Sequence, residues 1–493
     1  MLKVKTSIDE IKNYLKDYNM APVMFEALSD TQTPVRVYQT LSQGHKCSFI
    51  LESVDNNEKW GRYSFIGINP KLEIVIKDHC AEIKSPSQTE KAKVDDPVRF
   101  ISYYIDKYRM PKIKNAPKLL GGLVGYFGYD IVRYMEPKLR NIPHDDIKLP
   151  DCDLFLYDEL IAFDHLSGKI IIIENILKDT PVSIEEQYEK ACERAEAVYR
   201  KTFDSFAPDY KRPSSDEFSV TSNVTKEEFE ASVEKAKKHI VNGDIFQIVL
   251  SQRFEIDNPP DSFAVYRMLR ATNPSPYLFY FKNPDYCIAG ASPEMLVNVT
   301  DSVITTKPIA GTMPRGTTDE EDERFEKHLI SDEKERAEHT MLVDLGRNDI
   351  GKVSEYGSVK VSNLMHIERY SKVMHIVSDV SGKLRDDKNA VDALLSVLPA
   401  GTLSGAPKVR AMELIDEFEK TKRCLYGGTV GYLGFDGNID TCIAIRTVLF
   451  KNNKAYIQAG AGIVADSVPE KEYNETRNKA VAMINAVRDA AEI

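Results

Sequence analysis

The chain has 493 residues, of which 42% are hydrophobic and 29% are charged, and its formal net charge is −11. So acidic a protein has no basic excess with which to neutralise phosphates, which argues against a nucleic-acid partner. Its seven cysteines are scattered without a C-x-x-C pair, so neither a zinc site nor a disulfide framework is expected. No apolar run approaches the roughly 20 residues of a membrane-spanning helix, and the N-terminus shows no apolar signal region. We therefore expect a cytoplasmic protein, without a membrane partner, that binds a small ligand in a pocket.

The first half of the chain is rich in predicted strands. These are the apolar, β-branched runs CSFILESV, KLEIVIK, GGLVGYFGY, DLFLYDELIAFDH and KIIIIENIL. A charged helical pattern follows them, and residues 203–224 are then rich in Ser, Pro and Asp, as is typical of a linker. We place a domain boundary near residue 215, between an N-terminal domain (1–215) and a C-terminal domain (216–493).

A new helix is predicted just after this linker, because Thr225 and Glu228 have the spacing of a capping box. Its apolar residues recur at helical intervals, and they are Phe229, Val233, Ala236 and Ile240. Further along, predicted strands alternate with helices. We therefore predict a mixed α+β protein with one large sheet in each half.

A glycine-punctuated turn, KPIAGTMPRG at residues 307–316, follows a predicted strand. Gly311 and Gly316 allow the backbone to approach a ligand closely, and Arg315 carries a permanent positive charge. The turn therefore predicts an anion site, with the small side chain of Ala310 beside it.

Two predicted helices each carry a Glu-x-x-Glu pair, which places both carboxylates on one face of the helix. The pairs are Glu335 with Glu338, and Glu472 with Glu475. Four such carboxylates suit Mg²⁺, which prefers oxygen ligands; alternatively, acidic pairs on helices are simply solvated faces. Shortly before the second pair, Gly460 and Gly462 are placed to present backbone N–H groups to a carboxylate.

Two further side chains are candidates for proton transfer. Glu294 follows a predicted strand, where a half-buried carboxyl can act as an acid. His375 lies in an apolar, strand-like run, where it is either a functional group or a core residue with satisfied hydrogen bonds. The motifs of serine, zinc and nicotinamide enzymes (G-x-S-x-G, H-E-x-x-H and a strand-following G-x-G-x-x-G) do not occur.

Eight sequence strings, in one order along the chain, carry a resemblance to a known family. They are GDIFQIVLSQRF, NPSPYLFYF, ASPEMLV, KPIAGT with PRG, DEKERAEHTMLVDLGRNDIG, LPAGTLSGAPKVRAMELI, YGGTVGYLGFDGNIDTCIAIRT and QAGAGIVADSVPEKEYNETRNKA. Together they closely resemble the chorismate-utilising enzymes, and among these the large subunits of anthranilate synthases. The match is almost unbroken from residue 225 onward and looser before it. It implies a two-domain α+β fold in which large antiparallel sheets are flanked by helices.

The resemblance implies that the anion is chorismate, a dicarboxylate, and that Mg²⁺ neutralises and orients its ring carboxylate. Glu338 and Glu475 match the metal ligands of the family, with Glu335 and Glu472 in supporting positions. Substrate-binding positions of the family match Gly311, Thr312, Thr402, Tyr426, Arg446, Gly460, Ala461 and Gly462.

The resemblance also implies a reaction. Glu294 matches a general acid that protonates the departing C4 hydroxyl, and His375 matches a histidine that assists the later elimination. Relatives that add water at C2 carry a lysine base where this chain has Gln247, and relatives that make 4-amino-4-deoxychorismate commonly carry a lysine in place of Ala310. External ammonia would therefore attack C2, and loss of pyruvate would give anthranilate, the first committed step of tryptophan biosynthesis. At position 313, where many relatives carry a basic residue, this chain has Met313.

The resemblance implies partners as well. The chain has no G-x-C-x-G nucleophile turn, so ammonia is expected from a separate glutamine amidotransferase subunit, within a heterotetramer. Tryptophan is expected to act as a feedback inhibitor, bound by Glu52, Ser53, Asn273, Pro274, Ser275, Pro276, Tyr277 and Leu278. Two alternatives stay open, namely the large subunit of 4-amino-4-deoxychorismate synthase and a non-catalytic regulatory subunit that binds chorismate or tryptophan.

Overall fold

Strands dominate the computed structural model of the chain, which describes residues 2–53, 61–204, 218–370 and 373–492. In chain order the strands are β1 (Lys3–Val4), β2 (Met20–Leu28), β3 (Ser48–Glu52), β4 (Tyr63–Ile68), β5 (Leu72–Lys77), β6 (Cys80–Lys84), β7 (Thr89–Lys93), β8 (Gly122–Phe127), β9 (Cys152–Tyr157), β10 (Glu159–Asp164), β11 (Lys169–Leu177), β12 (Val220–Ser222), β13 (Gln247–Asp257), β14 (Tyr277–Lys282), β15 (Cys287–Ser292), β16 (Met295–Thr300), β17 (Val303–Thr306), β18 (Ile309–Pro314), β19 (Lys360–Arg369), β20 (Val373–Lys383), β21 (Gly405–Ala406), β22 (Thr429–Gly434), β23 (Ile439–Ile443), β24 (Thr447–Lys451) and β25 (Lys454–Ile463).

Helices lie between and outside these strands. They are α1 (Ile8–Tyr14), α2 (Pro34–Leu41), α3 (Pro97–Lys107), α4 (Ile184–Lys201), α5 (Lys226–Val241), α6 (Ser262–Thr272), α7 (Asp319–Ser331), α8 (Glu333–Gly351), α9 (Ala390–Val397), α10 (Lys408–Phe418) and α11 (Pro469–Asp489). Short 3-10 helices occur at Tyr129–Tyr134, Gly401–Leu403 and Ala490–Glu492.

The strands assemble into two large antiparallel sheets. The 13-stranded sheet has the order β1-β2-β11-β10-β4-β3-β14-β15-β24-β25-β13-β12, with β21 paired to β13. The 12-stranded sheet has the order β18-β20-β17-β16-β23-β22-β8-β9-β5-β6-β7, with β19 paired to β20. The predicted α+β class, with large antiparallel sheets flanked by helices, is confirmed.

Strands from both halves of the chain meet within each sheet. In the first sheet β3 pairs with β14, where Glu52 lies opposite Leu278; in the second β8 pairs with β22, where Phe127 lies opposite Thr429. The prediction of one sheet in each half is therefore wrong, because a strand's local pattern does not specify its partner. The boundary near residue 215 lies outside the described residues, and the division into 1–215 and 216–493 stays a prediction.

Alternation along β3 and β14 buries both faces of the first sheet. Phe49 and Phe279 belong to the core between the two sheets, where the ring of Phe49 meets that of Tyr157 from the second sheet at a centroid distance of 4.8 Å. Ile50 and Tyr280 point the other way and pack with helices on the outer face. Burying each such side chain contributes roughly 1.5–3 kcal/mol to the free energy of folding. Sheets built from strands of both halves therefore hold the two halves of the chain together.

Three predicted helices carry features that bear on the site. Helix α5 begins with the predicted capping box of Thr225 and Glu228, and α8 and α11 carry the two Glu pairs. Helix α8 packs against β18 and β20, whereas α11 packs against β25. In the described part of the chain, no helix is long and apolar enough to span a membrane.

We predict that residues 1–204 and 218–493, expressed separately, do not fold independently, because each fragment exposes an unpaired edge of both sheets. Neither should show a cooperative thermal transition by circular dichroism, and mixing them should restore one. The control is the full chain cut at a protease site inserted between residues 205 and 217, which should keep its transition. A cooperative transition in either isolated fragment would contradict the dependence of each half on the other.

Candidate functional site

Most of the predicted site residues lie on or beside β25 of the first sheet, β18 and β20 of the second, and the helices α11 and α8 that pack against these strands. Electrostatic interactions connect side chains that are far apart in sequence. Lys479 on α11 interacts with Glu294 and with Glu338 on α8, and Arg446 interacts with His375 on β20. The structure therefore brings the candidates for proton transfer, metal binding and anion binding into one region.

Glu294 supplies the acidic group of this region, between β15 and β16. Burial of its carboxyl raises the pKa to about 7, although a hydrogen bond from Thr402 and the charge of Lys479 both act to lower it. The Thr402 hydroxyl donates to Oε1 of Glu294 at 3.0 Å, and both residues line a small cavity of about 40 Å³. Near neutral pH the carboxyl therefore retains its proton in a substantial fraction of molecules, as a general acid requires.

The backbone of Gly460 and Gly462 faces the site because of how β25 pairs. These glycines lie opposite Ser251 and Val249 of β13, whose N–H groups donate elsewhere, to a glutamate side chain and to a loop carbonyl. The pairs are therefore of the non-hydrogen-bonded kind, and the N–H and C=O groups of both glycines point away from β13. On that side the carbonyl of Gly460 accepts a hydrogen bond from Nζ of Lys479 at 3.1 Å.

Other side chains lie close above both glycines, so a larger residue at either position would have to displace them. A Cβ on Gly460 would lie 2.6 Å from the hydroxyl of Tyr426, and a Cβ on Gly462 would lie 2.8 Å from Nε2 of Gln247. Gln247 is 5% exposed, and its Oε1 is buried without a hydrogen-bond partner. Ala461 faces the opposite side of the sheet, in the core beneath α5 and α10, so its side chain points away from this region.

A β-bulge at Gly311 shapes the part of the site that the second sheet contributes. The pairing of β18 with β20 shifts register between Ala310 and Thr312, and Gly311 has a φ of +64°. Its carbonyl lies 2.8 Å from Nδ1 of His375, which is also 3.2 Å from the Thr312 hydroxyl. Because a carbonyl can only accept, Nδ1 carries the proton and Nε2 is the basic nitrogen. Burial lowers the pKa of His375, which keeps the ring neutral at neutral pH.

Arg446 supplies a positive charge to the site, and its backbone has an uncommon conformation. Its φ of +51° is uncommon for a residue with a side chain, and Nη1 donates to the carbonyl of Lys479 at 2.5 Å. Burial lowers the pKa of Arg446, while the neighbouring Tyr426 and Glu475 raise it; the guanidinium remains charged. The side chain is therefore suited to hold a carboxylate.

The four predicted metal-binding glutamates lie close enough to perturb one another. Burial raises the pKa values of Glu335, Glu338 and Glu472, and repulsion from Glu475 adds to the effect at Glu338 and Glu472. Lys479 pairs with Oε1 of Glu475 at 2.6 Å. Lys479 is absent from the sequence-based prediction. Its position one helical turn after Glu475 could have indicated an ion pair between the two side chains.

The donor chemistry of these carboxylates fits a hard cation, since Mg²⁺ binding would relieve their mutual repulsion. Among the described residues, however, no group of three or more His, Cys, Asp or Glu side chains lies close enough to hold a metal ion as placed. The assignment of Glu335, Glu338, Glu472 and Glu475 as ligands therefore stays a prediction.

The expectation that Arg315 faces a ligand is wrong. Its guanidinium donates to the Asp322 carboxylate from Nε at 2.7 Å and from Nη2 at 2.5 Å, and to the carbonyl of Tyr370 at 2.8 Å. The N–H of Gly316 donates to the same carboxylate at 2.7 Å. The anion held by this end of the turn is therefore the protein's own Asp322. Met313 packs on a small apolar cluster beside it, which gives an apolar residue at this position a structural use.

A second, larger cavity of about 610 Å³ lies among strands of both sheets. Five predicted tryptophan-binding residues line it, namely Glu52, Ser53, Pro276, Tyr277 and Leu278, whereas Asn273, Pro274 and Ser275 are not among its lining residues. The hydroxyl of Ser53 is buried without a hydrogen-bond partner. Tyr63, Tyr432 and Asp440 also line the cavity; local sequence gives no signal for them, because sheet pairing brings them there.

This arrangement can be compared with known proteins. The family model described as chorismate binding enzyme matches residues 47–485. The chain belongs to the chorismate-binding enzyme family. Within this family it is 50% identical to anthranilate synthase component 1 of Acetivibrio thermocellus, over 99% of each chain. It is 46% identical to the protein of the same name from Pseudomonas aeruginosa, over 95% of this chain and 96% of that one.

Two solved structures have the same fold as this chain. The crystal structure of anthranilate synthase component I from Streptococcus pneumoniae superposes with a TM-score of 0.76 and 40% identity, covering 93% of this chain and 99% of that one. The menaquinone-specific isochorismate synthase of Escherichia coli superposes with a TM-score of 0.69 at 19% identity, covering 97% and 98%. The second likeness extends the fold to a more distant protein.

We predict that Gly311→Ala destabilises the protein by about 1–2 kcal/mol, because alanine is strained at positive φ and its Cβ would lie 3.0 Å from Oε2 of Glu335. Gly44→Ala is the matched control, since Gly44 has a φ of +76° with no atom within 4 Å of an added Cβ. Urea unfolding of both variants would measure the difference. Equal losses of stability would mean that the contact with Glu335 costs nothing.

Proposed function

We propose that the protein is the large subunit of an anthranilate synthase, which converts chorismate and ammonia to anthranilate, pyruvate and water. The observation that carries this proposal is the half-buried Glu294 carboxyl, which has a pKa of about 7, accepts a hydrogen bond from Thr402 and interacts with the cation of Lys479. The relatives that are 50% and 46% identical bear the name anthranilate synthase component 1, which supports the same reaction.

Chorismate carries two carboxylates, and a chain with a net charge of −11 must receive them with local cations and N–H groups. Arg446 can hold one carboxylate through two parallel hydrogen bonds. The N–H groups of Gly460 and Gly462 point to the same side of β25 as the carbonyl that binds Lys479. These groups are therefore available as hydrogen-bond donors to a carboxylate of the substrate at this edge of β25.

In the first step, Glu294 acts as the acid. The lone pair of ammonia forms a bond to C2, the ring double bonds shift toward C4, and the C4–O bond breaks. The C4 hydroxyl leaves as water with the proton of Glu294, and the new ammonium group later returns a proton to this carboxylate. A positioned acid of this kind contributes roughly 10²- to 10⁴-fold in rate.

In the second step, Nε2 of His375 acts as the base. It removes the proton from C2, the ring becomes aromatic, and the C3–O bond breaks so that enolpyruvate leaves and becomes pyruvate. The hydrogen bond from Nδ1 to Gly311 fixes the tautomer with a basic Nε2. Burial holds the ring neutral and therefore able to accept the proton.

We propose Mg²⁺ as the cofactor, held by Glu338 and Glu475 with Glu335 and Glu472 in support. When bound, Mg²⁺ would neutralise the ring carboxylate of the substrate and withdraw electrons from the ring. Lys479, which pairs with Glu475 at 2.6 Å, would have to share or release this carboxylate.

Two neutral side chains favour this reaction over those of related enzymes. Ala310 is buried and offers no amine to attack the ring, which disfavours the 4-amino-4-deoxychorismate alternative. Gln247 has no basicity with which to activate water. A non-catalytic regulatory subunit is disfavoured because Glu294, His375 and the carboxylates are all present.

We propose that ammonia reaches the site from a glutamine amidotransferase subunit, within a heterotetramer in the cytoplasm. Tryptophan would act as the feedback inhibitor, bound in the 610 Å³ cavity. A cavity of this size suits an aromatic amino acid. The apolar and aromatic walls, and the unpartnered hydroxyl of Ser53, support this choice.

Product identification tests the proposed function. The purified chain, with chorismate, Mg²⁺ and ammonium at mildly alkaline pH, should release fluorescent anthranilate and pyruvate in equal amounts, and EDTA should abolish both. Accumulation of 4-amino-4-deoxychorismate would instead assign the alternative reaction. Binding of chorismate without turnover, both alone and with an amidotransferase subunit, would favour the regulatory subunit.

We predict that the Glu294 pKa controls the alkaline limb of the pH profile. With free ammonia held constant, kcat/KM for chorismate should fall as the pH rises through about 7, because the proton is lost there. Thr402→Val removes a hydrogen bond that lowers this pKa, so the limb should move up by roughly 0.5–1 pH unit. Thr300→Val, at the far end of β16, is the control and should leave the limb in place. An unmoved limb in Thr402→Val would exclude Glu294 as the titrating group.

We predict that tryptophan inhibits the wild-type chain and that Ser53→Ala raises the inhibitory concentration about five- to tenfold, as for the loss of one hydrogen bond. Ser48→Ala is the control, because Ser48, at the start of the strand that precedes Ser53, bonds to Tyr38 at 2.8 Å and does not line the cavity. Inhibition would be measured as anthranilate formation against tryptophan concentration. Wild-type turnover that is insensitive to millimolar tryptophan would exclude the effector.

A further inference from the structure

A largely buried ion pair joins helices α8 and α10 beside the site. Nζ of Lys408, the first residue of α10, donates to Oδ2 of Asp349 on α8 at 2.6 Å. The side chains of Lys408 and Asp349 are 13% and 3% exposed. Because both charges lose most of their water, the attraction within such a pair does little more than offset the cost of burial. A contribution to stability is therefore not a sufficient reason for this pair.

The same ammonium group also closes a loop. It donates to the carbonyl of Val397, the last residue of α9, at 2.9 Å. Lys408 therefore holds together the two ends of the segment 398–407, which connects α9 to α10. A cation is favourable at the C-terminus of a helix, because the last carbonyls there carry partial negative charge. Since Asp349 belongs to α8, Lys408 fixes the closed segment to that helix as well.

Thr402 lies in the middle of this segment, which rests on α8. A Cβ on Gly401 would overlap the side chain of Leu345 on α8, so the backbone of the segment lies directly against the helix. The hydroxyl of the next residue, Thr402, donates to Oε1 of Glu294 at 3.0 Å. The length of this hydrogen bond therefore depends on where the segment lies along α8.

One cavity of about 40 Å³ connects these groups, because Glu294, Thr402 and Asp349 all line it. A space of this size exceeds the roughly 10–15 Å³ that one water molecule needs. Packing around the carboxyl is therefore too loose to hold the hydroxyl of Thr402 in place by itself. The position of the segment that carries Thr402 has to be fixed from elsewhere.

Other charged groups also surround the ion pair. Nζ of Lys352, one turn further along α8, donates to Oδ1 of Asp349 at 3.1 Å. Burial lowers the pKa of Lys408, whereas the charge of Asp349 raises it. Lys352 lowers the pKa of Lys408 further, and Glu136 raises it. Asp349 thus accepts hydrogen bonds at both oxygens and is held between two cations.

We propose that the ion pair of Lys408 and Asp349 is a positioning device, which holds the segment 398–407 on α8 so that Thr402 stays within hydrogen-bond distance of Glu294. This role rests on the proposed function, in which Glu294 is the acid. A misplacement of about 1 Å, even one caused far from the chemistry, can cost roughly 10²-fold in rate. A pair that fixes the segment from outside the site therefore has a direct use in catalysis.

The pair acts on Glu294 through position rather than through charge. The charge that acts on the Glu294 carboxyl comes from Lys479 on α11. Methionine in place of Lys408 would fill a similar space, but it has no donor for the Val397 carbonyl or for a carboxylate. The segment would then be free to move on α8, and the hydrogen bond from Thr402 would lengthen or break.

The pH profile of kcat/KM for chorismate, with free ammonia held constant, tests this proposal. Lys408→Met should move the alkaline limb up by roughly 0.5–1 pH unit, as Thr402→Val does, because both remove a hydrogen bond that lowers the pKa of the acid. The double variant should show the shift of Thr402→Val alone, since the two changes act on one hydrogen bond. An unmoved limb in Lys408→Met would overturn the proposal. Shifts that add in the double variant would overturn it too, because they would mean that Lys408 acts by its charge.

Asp349→Asn is a second variant, which keeps the shape of the side chain and tests the same pair if Lys408→Met does not fold. It should move the limb in the same direction. Lys77→Met is the matched control, because Nζ of Lys77 on β5 also binds one carboxylate, that of Asp145 at 2.8 Å, and one backbone carbonyl, that of Leu149 at 3.3 Å. It should lower the melting temperature, measured by circular dichroism, and leave the limb in place. An equal shift in Lys77→Met would assign the effect to a general loss of stability.

A titration that does not depend on turnover separates this proposal from the proposed function. The infrared absorption of the protonated carboxyl, followed against pH with the spectrum of Glu294→Gln subtracted, reports the pKa of Glu294 directly. A higher pKa in Lys408→Met than in wild type would support the positioning role, and equal values would overturn it. A wild type that makes no anthranilate from chorismate and ammonium would overturn the proposed function, whichever result the infrared titration gives.

Discussion

The antiparallel register of β13 and β25 is the constraint on which the rest of the site depends. It places Gln247, Gly460 and Gly462 on one face, and Leu250 and Ala461 on the other. A slip of one residue would exchange these faces, so that apolar side chains would fill the site and glycines would lie under the helices. The apolar packing of α5 and α10 therefore specifies the chemistry on the opposite side of the same two strands.

The pKa values of the ionisable groups in the site depend more on their burial than on the net charge of the chain. Burial raises the pKa values of Glu294 and Glu338 and lowers that of His375. One physical cause thus favours both a protonated carboxyl at Glu294 and a neutral imidazole at His375. Lys479 offsets part of the acidic charge by contacting Glu475 and Gly460. Because cations lie among the carboxylates, the region is suited to the dianionic substrate that we propose.

Local patterns in the sequence were enough to predict helices α4, α5, α8 and α11 and many of the strands, together with the α+β class. The capping box at Thr225 and the Glu pairs on α8 and α11 each depend on two residues that are three apart, a spacing that the sequence shows directly. Pairing of β3 with β14 was not predictable in this way, since it joins segments more than 200 residues apart. The prediction that Arg315 faces a ligand was wrong for a related reason. Its permanent charge was evident from the sequence, but its partner Asp322 lies on the following helix. The metal, substrate and effector roles of the remaining residues stay predictions.

The outer strands of both sheets have a consequence for the behaviour of the protein at high concentration. An exposed sheet edge can recruit a second chain and begin aggregation, which proteins prevent with short, charged or irregular edge strands. In the first sheet the outer strands β1 and β12 have two and three residues. In the second, β7 carries Lys91 and Lys93, and β19 shifts register between Ser362 and His366. Among the described residues, sheets of 13 and 12 strands therefore end in strands that are short, charged or irregular, and such edges disfavour the growth of fibrils.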